Sequence, residues 1–496
     1  MRDSRRIGRD RRRIGHGGIV SDNELTTTID PGDGHQPETL KRVMGPKLLL
    51  LFIVGDILGT GVYALTGKVA GQVGGAGWAP VILAFLIALI TAFSYMELVT
   101  KYPQAAGAAL YTHKAFGVHF VTFLVAFAVL SSGITSASTA SNVFAANLVA
   151  GFGWDVSGTG VMWIALAFLT LIALINLRGV GESVWFNVVL TLIELSGLLL
   201  VIVVGFFALG AGDADFSRVM IFETEGDKSV FLAVTGATAL AFFSMVGFED
   251  SVNMVEETKD PRIFPKIMLS GLTITGIIYV LVSLVTVAAV PIGVLAESET
   301  PLLEVVREGA PGLPIDTIFP FMTMFAVANS ALINMLMASR LLYGMAKQNV
   351  LPPVFAKVLA GRRSPWVSII FTTLIAFALI FFVTSILPET VTASLGGTTS
   401  LLLLAVFAVV NVAVLILRKD KSGNAEHFTA PTVLPWIGVI SCVFLVGPWV
   451  RLDELIQYQI AAALVGIGVV LWAVTWFWNR STKGTSTRFR NPEELT

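Results

Sequence analysis

Apolar residues fall along this chain in long blocks separated by short polar stretches rich in Lys, Arg, Gly and Pro. A helix needs roughly 20 such residues to cross a bilayer. The blocks predict twelve spans, near 46–66, 78–100, 118–151, 161–177, 185–210, 231–257, 265–291, 315–346, 366–387, 391–417, 434–450 and 456–479. The third and eighth are long, which predicts tilt or extension past the hydrocarbon. The boundary between Thr390 and Arg418 is the least distinct, and twelve is preferred to eleven because an even number puts both charged ends of the chain on one side. Two blocks break their own pattern. The first, LLLLFIVGDILGTGVYALTG from Leu48 to Gly67, carries Asp56 and Gly59-Thr60-Gly61 in its middle, and the sixth loses its apolar character at Val246-Gly247-Phe248-Glu249-Asp250. Glycines and acids at membrane depth are tolerated where broken backbone faces protein or a water-filled cavity. The first and sixth positions correspond if five spans form one repeat and the next five another, as in inverted-repeat transporters.

Composition and charge agree with a membrane protein. Of 496 residues 55% are hydrophobic and 14% charged, against roughly 25% charged in an ordinary soluble domain. A net charge of −1 suggests no nucleic-acid partner. The single cysteine, Cys442, excludes an internal disulfide and a cysteine-based metal cluster. The basic start is followed by polar sequence and does not read as a secretory signal. With the N-terminus inside, the inner segments hold most of the Lys and Arg, and the outer ones hold Lys68, Arg218, Lys228, Arg307 and Arg451. That bias predicts that both termini are cytoplasmic, and the expected location is the plasma (cell) membrane. The expected organisation is a basic tail at 1–45, a transport core at 46–418 with repeats at about 46–211 and 230–418, a cytoplasmic loop at 419–433, two accessory helices within 434–479 and a tail at 480–496.

A break in a spanning helix has its own chemistry. Unwinding exposes N–H groups at the start of the second half-helix, which suits a carboxylate. Freed carbonyls and the end of the first half-helix suit an ammonium group or a cation. Together they suit an α-amino acid zwitterion, and glycines at 59 and 61 let backbone approach a ligand.

At these residues a family resemblance enters. GDILGTGVYALTG resembles the first helix of amino acid permeases of the amino acid–polyamine–organocation superfamily. AFSYMELVTKYPQAAGAALYTHKAFG from Ala92, FFSMVGFEDSVNMVEETKDPRIFPKIM from Phe242 and SRLLYGMAKQNVLP from Ser339 are similar to three further segments of the same family, in the same order. The resemblance covers roughly residues 40 to 420. It implies an all-α integral membrane protein of the leucine-transporter type, a 5+5 inverted repeat plus two helices, with the first and sixth helices broken. It also implies that Gly59, Thr60 and Gly61 receive a substrate carboxylate and that carbonyls near Ile57, Phe243, Ser244, Val246 and Gly247 receive its amino group. Phe243 and Phe248 become candidates for an aromatic gate, with packing between helices as the other role. Thr60 can equally cap the second half-helix.

Several proton-coupled relatives carry a lysine midway along the fifth helix, where this chain has Glu194. Counted from Trp185 at about 1.5 Å per residue, Glu194 lies roughly 14 Å deep, near the middle of a core about 30 Å thick. An acid there is buried, paired or protonated, which makes Glu194 a candidate site for a coupling proton. Asp56 is the other intramembrane acid, suited to a substrate amine, a proton shared with Glu194, sodium, or bracing the break. Asn329, Ser330, Asn334 and Ser339 on the eighth span would favour sodium, so the coupling ion stays open. Ser132, Ser136 and Ala140 recur every four residues as a packing face, and Glu97 is expected to pair with a cytoplasmic-side base such as Lys101, its i+4 neighbour. His113 and His119 have no partner at ligand spacing, so no metal is expected.

GVYALTGKV from Gly61 has five residues between its glycines where a phosphate loop has four, so no nucleotide partner is expected. No paired-acid or Ser-His-Asp arrangement supports an enzyme. The sequence therefore predicts a secondary transporter of amino acids working by alternating access, proton-coupled, with no cofactor beyond the coupling ion and with the lipid bilayer as surroundings. Alternatives are a polyamine or amine carrier, an uncoupled exchanger and, from another class, an amino acid sensor that does not transport.

Overall fold

Each apolar block forms a helix. The computed structural model describes residues 44–104, 107–178, 184–212, 214–224, 229–311, 314–359, 362, 364–387, 390–421, 423–451 and 454–483. The basic N-terminal tail, nearly all of the C-terminal tail and the side chains of Glu256 and Glu257 lie outside them. The first span is α1 (Pro46–Ile57) and α2 (Thr60–Val73), followed by α3 (Trp78–Lys101), a short α4 (Gly107–Phe116), α5 (His119–Phe152), α6 (Gly158–Arg178) and α7 (Val184–Ala211). The sixth span opens with α8 (Val230–Ala241) and continues in tighter turns to Glu257. Then come α9 (Phe264–Ala289), two short helices α10 (Ile292–Glu297) and α11 (Pro301–Gly309), α12 (Ile315–Lys347), α13 (Trp366–Ile386), α14 (Val391–Leu417), α15 (Val433–Val446) and α16 (Leu455–Trp478).

Among the described residues ten helices are long and apolar enough to cross a membrane, and α1 with α2 forms an eleventh span bent by 40°. The boundaries follow from local chemistry. Proline opens α1, α9 and α11, where its missing N–H is not needed. Gly153, at φ 62°, ends α5 in the left-handed region. The first span is longer than the predicted 46–66, because the small and polar residues after Thr66 continue the helix to Val73. The eleventh is shorter than the predicted 434–450. α15 has 14 residues, about 21 Å at 1.5 Å per residue. Its chain leaves the helix at Gly447 and carries Arg451 back into the bundle, where it is 3% exposed.

The helices α4, α10 and α11 have no counterpart among the predicted spans, being too short to register as blocks. α11 is amphipathic: Leu302, Leu303, Val305 and Val306 are buried while Glu304 and Arg307 pair on its outer side. At the centre α5 packs along α12 and α14. The small residues on α5 permit this approach, and the Thr135 and Thr399 hydroxyls lie 2.7 Å apart across the α5–α14 contact.

Polar groups tie the two ends of the bundle. At the end where α3 and α14 finish, Glu97 does not pair with Lys101. Its carboxylate accepts from Nε and Nη2 of Arg418 at 2.8 and 2.7 Å and from the Ala430 N–H at 2.9 Å. Lys101 instead donates to the carbonyls of Leu417 and Asp420 at 2.6 and 2.8 Å. The end of α14 offers unpaired carbonyls to an ammonium and a guanidinium to the carboxylate, and the forked pair is the stronger contact. The Glu97 hydrogen bonds hold the Arg418 guanidinium above its usual range. At the opposite end Lys68 of α2 meets Glu299 at 3.1 Å and the Ala296 carbonyl at 2.9 Å, and Glu299 accepts from Thr392 at the start of α14.

Replacing Glu97 with Ala strands a guanidinium and a backbone N–H in a largely buried place. The expected loss is about 3 kcal/mol, seen as a lower thermal unfolding midpoint in detergent, with a smaller loss for Glu97→Gln. An unchanged midpoint for Glu97→Ala would show that the contact carries no load.

Candidate functional site

The two broken spans meet each other at their breaks. α1 ends at Ile57 and α2 begins at Thr60, leaving Leu58 and Gly59 between them. α8 ends at Ala241 and runs through a tight turn, Phe242–Met245, to an extended Val246. Gly247 follows with φ 125°, a backbone conformation that favours glycine. A Cβ at Gly61 would lie 2.5 Å from Ser244 Cα, and one at Gly247 would lie 2.5 Å from the Asp56 carbonyl oxygen. Each break therefore presses a glycine against the backbone of the other. A Cβ at Gly59 would lie 2.6 Å from Ser330 Oγ, so α12 closes on the same point.

The freed backbone groups find specific partners. Tyr279 of α9 donates its hydroxyl to the Ile57 carbonyl at 2.5 Å. Glu249 Oε2 accepts from the Gly247 N–H at 2.9 Å. The N-terminus of α2 has no side-chain cap. Thr60 does not cap it, because Thr60 is the first helical residue and the capping position is Gly59; the Thr60 hydroxyl has no hydrogen-bond partner.

Of the other predicted residues, Ser244 and Ser330 touch this contact. Phe243 is buried, with its ring 3.3 Å from where a Cβ on Gly396 would stand. Ser244 is half-buried against Gly61. Phe248 is fully buried between Tyr95 and Phe407, with ring centroids 5.7 and 5.3 Å away. Glu194 on α7 is 1% exposed and both its carboxyl oxygens lack a hydrogen-bond partner. Tyr63 of α2 donates to the Glu194 backbone carbonyl at 3.1 Å. One turn earlier Thr191, its hydroxyl also without a partner, stands where a Cβ on Gly55 would be. Of the four hydroxyl and amide residues on α12, Ser330 touches the break. Asn334 donates to the Ser330 carbonyl at 2.9 Å and Ser339 to the Leu336 carbonyl at 2.9 Å, while Asn329 is buried. His113 and His119 lie side by side with ring centroids 5.0 Å apart and planes tilted by 35°, and among the described residues no group of three or more His, Cys, Asp or Glu gathers as a metal would require.

A cavity of about 420 Å³ lies against the sixth-span break, between α3, α4, α5, α12 and α14. Val246, Glu249 and Asp250 form one wall, Ser132, Gly133 and Asn334 another, and Thr399, His113 and the exposed Arg340 complete it. Gly59, Thr60 and Gly61 are not on its wall. Sequence reasoning gave no site role to Glu249, Asp250 or Thr399; adjacent acids in an otherwise apolar span were the available signal. Its volume falls in the range that holds small-molecule ligands.

Residues 46–478 match a family model described as amino acid permease. The chain is similar to the methylthioribose transporter of Bacillus subtilis (strain 168), 27% identical over 82% of this chain and 87% of that one. It is also similar to the branched-chain amino acid permease of the same organism, 24% identical over 82% and 88%. A solved structure of the Eremococcus coleocola manganese transporter shares the fold, with a TM-score of 0.57 at 13% identity, covering 89% of this chain and 98% of that one.

The interlocked breaks make a direct prediction. Gly61→Ala and Gly247→Ala each place a methyl group inside another backbone, so both should lose at least about tenfold in transport rate through displaced half-helices. Gly466→Ala, where nothing lies within 4 Å, should transport as wild type. Normal rates for the first two would show that the contact is not needed.

Proposed function

The chain belongs to the amino acid permease family of the amino acid–polyamine–organocation superfamily, and from that footing we propose that it moves amino acids across the membrane as a proton-coupled secondary transporter. The observation that carries this reading is the pair of broken spans joined at Gly61–Ser244 and Gly247–Asp56 beside a cavity of amino acid size. The N-terminus of α2, without a side-chain cap, suits the substrate carboxylate, and the carbonyls of the Phe243–Gly247 turn suit its amino group. In the closed contact seen here the sixth-span break reaches the cavity at Val246 while Gly59–Gly61 do not, so a ligand that touches both halves requires the two breaks to part.

Lys and Arg placement supports a reading with both termini in the cytoplasm, and we take the membrane to be that of the cell. The cavity then opens inward and the Lys68–Glu299–Thr392 tie closes the outer end, which is one half of an alternating-access cycle. α15 is read as the eleventh of twelve spans, shortened by its inward turn. Glu194 supports proton coupling: a carboxyl so buried, with no partner for either oxygen, is tolerated as the neutral acid. It would take its proton when the outer path opens and release it inward. Asp56 serves the ligand side, and sodium would draw on Ser330. A second reading, an amine or polyamine carrier, is favoured by Glu249 and Asp250 on the cavity wall.

Purified protein in liposomes, given a panel of amino acids and amines under imposed pH or sodium gradients, tests both readings. Uptake should rise as outside pH falls. Glu194→Gln, a mimic of the protonated state, should still exchange substrate but lose uphill accumulation driven by the pH gradient. Accumulation equal to wild type would leave Glu194 as a structural residue.

A further inference from the structure

Arg451 lies in the turn between α15 and α16, in the two helices the sequence marks as accessory, yet its side chain reaches the core of the bundle. Nη1 donates to the Gly397 carbonyl at 2.9 Å and to Gln457 Oε1. Nη2 donates to the Ala239 carbonyl and to Ser400 Oγ, each at 3.3 Å, and Nε donates to the Leu445 carbonyl at 3.3 Å. The Ser400 hydroxyl closes the set by donating to Ala239 at 2.5 Å. Arg451 makes no ion pair among the described residues. Among the described residues its hydrogen bonds all go to neutral oxygens, and Glu454, held through Gln457 at 3.0 Å, bears on its charge.

These partners are not scattered. Ala239 is in the last turn of α8, about 14 Å along that half-helix from Val230 at 1.5 Å per residue, where carbonyls run out of helical partners and a cation is favoured. Phe243, in the break itself, follows four residues later. Gly397 adjoins Gly396, which packs against Phe243 and Leu65, and Thr399 beside Ser400 lines the cavity. One planar fork of five donors thus joins the end of α8 to the stretch of α14 that faces the break, a geometry that lysine cannot supply. A buried charge is costly unless well hydrogen-bonded, and here all of the described partners are hydrogen-bond acceptors.

We infer that Arg451 is a positioning residue of the transport site, holding the end of α8 against α14 so that the break of the sixth span keeps its shape. The transport part of this inference rests on the proposed function; the positioning part does not.

Hydrogen–deuterium exchange over Thr238–Gly247 in nanodiscs, together with KM and maximal uptake rate per folded protein, tests it on wild type, Arg451→Met, Arg451→Lys and Ser400→Ala. Arg451→Met removes the charge together with the fork and should fold. It should exchange about tenfold faster in that segment and lose about tenfold in rate with KM altered severalfold, and Arg451→Lys should recover part of the rate. Wild-type exchange with wild-type KM and rate in Arg451→Met would overturn the inference. If that variant does not fold, Ser400→Ala decides: faster exchange in the same segment supports the inference, and no change overturns it. A wild-type protein that transports nothing would defeat the transport reading, while the exchange comparison would still decide the role of Arg451.

Discussion

The constraint behind this architecture is that a backbone polar group in hydrocarbon must find a partner within the protein. Two spans give up helical hydrogen bonds in their middles, and much of the surrounding packing serves the groups so freed. Tyr279 on α9 takes the Ile57 carbonyl, Glu249 takes the Gly247 N–H, and Arg451 with Ser400 takes the Ala239 carbonyl. The two breaks are close enough to share one site only because Gly61 and Gly247 carry no Cβ. The helices α7, α9, α12 and α14 pack around the half-helices of both spans.

Much of this was legible in the chain because hydrophobic blocks report spans directly. The two breaks could be read because glycines and acids stand where a simple anchor would have leucines. Glu194 was readable as an acid at depth, since its position follows from helical rise alone. Partners across the bundle were not readable. Glu97 has Lys101 at the right local spacing, yet Arg418, hundreds of residues away, takes its carboxylate. Tyr279 and Arg451 carry no local pattern that links them to a break, because their roles arise only when distant helices are brought together. α4, α10 and α11 were missed because they are too short to register as apolar blocks, and α15 was drawn too long because its inward turn is also apolar.

The polar ties at the two ends differ in a way that fits a moving transporter. Glu97 is nearly inaccessible, and its forked contact with Arg418 fixes α3 to the end of α14. The Lys68–Glu299 pair is half-open to solvent on the Glu299 side, and exposed pairs contribute little to stability. A contact of that kind can break and reform at small cost, as a gate requires. The cavity lies at the other end, against the sixth-span break, separated from the glycines of the first span by the interlock. On the proposed function, substrate passing between the sides of the membrane would part Gly61 from Ser244.

A structure determined with a transported amino acid bound tests this account most directly. The account predicts the carboxylate at the N–H groups of Gly59–Gly61, the amino group at the carbonyls of the Phe243–Gly247 turn, and the Gly61–Ser244 contact opened. An amino acid held wholly within the cavity of Glu249, Asp250 and Asn334, with Gly61 still pressed on Ser244, would contradict it.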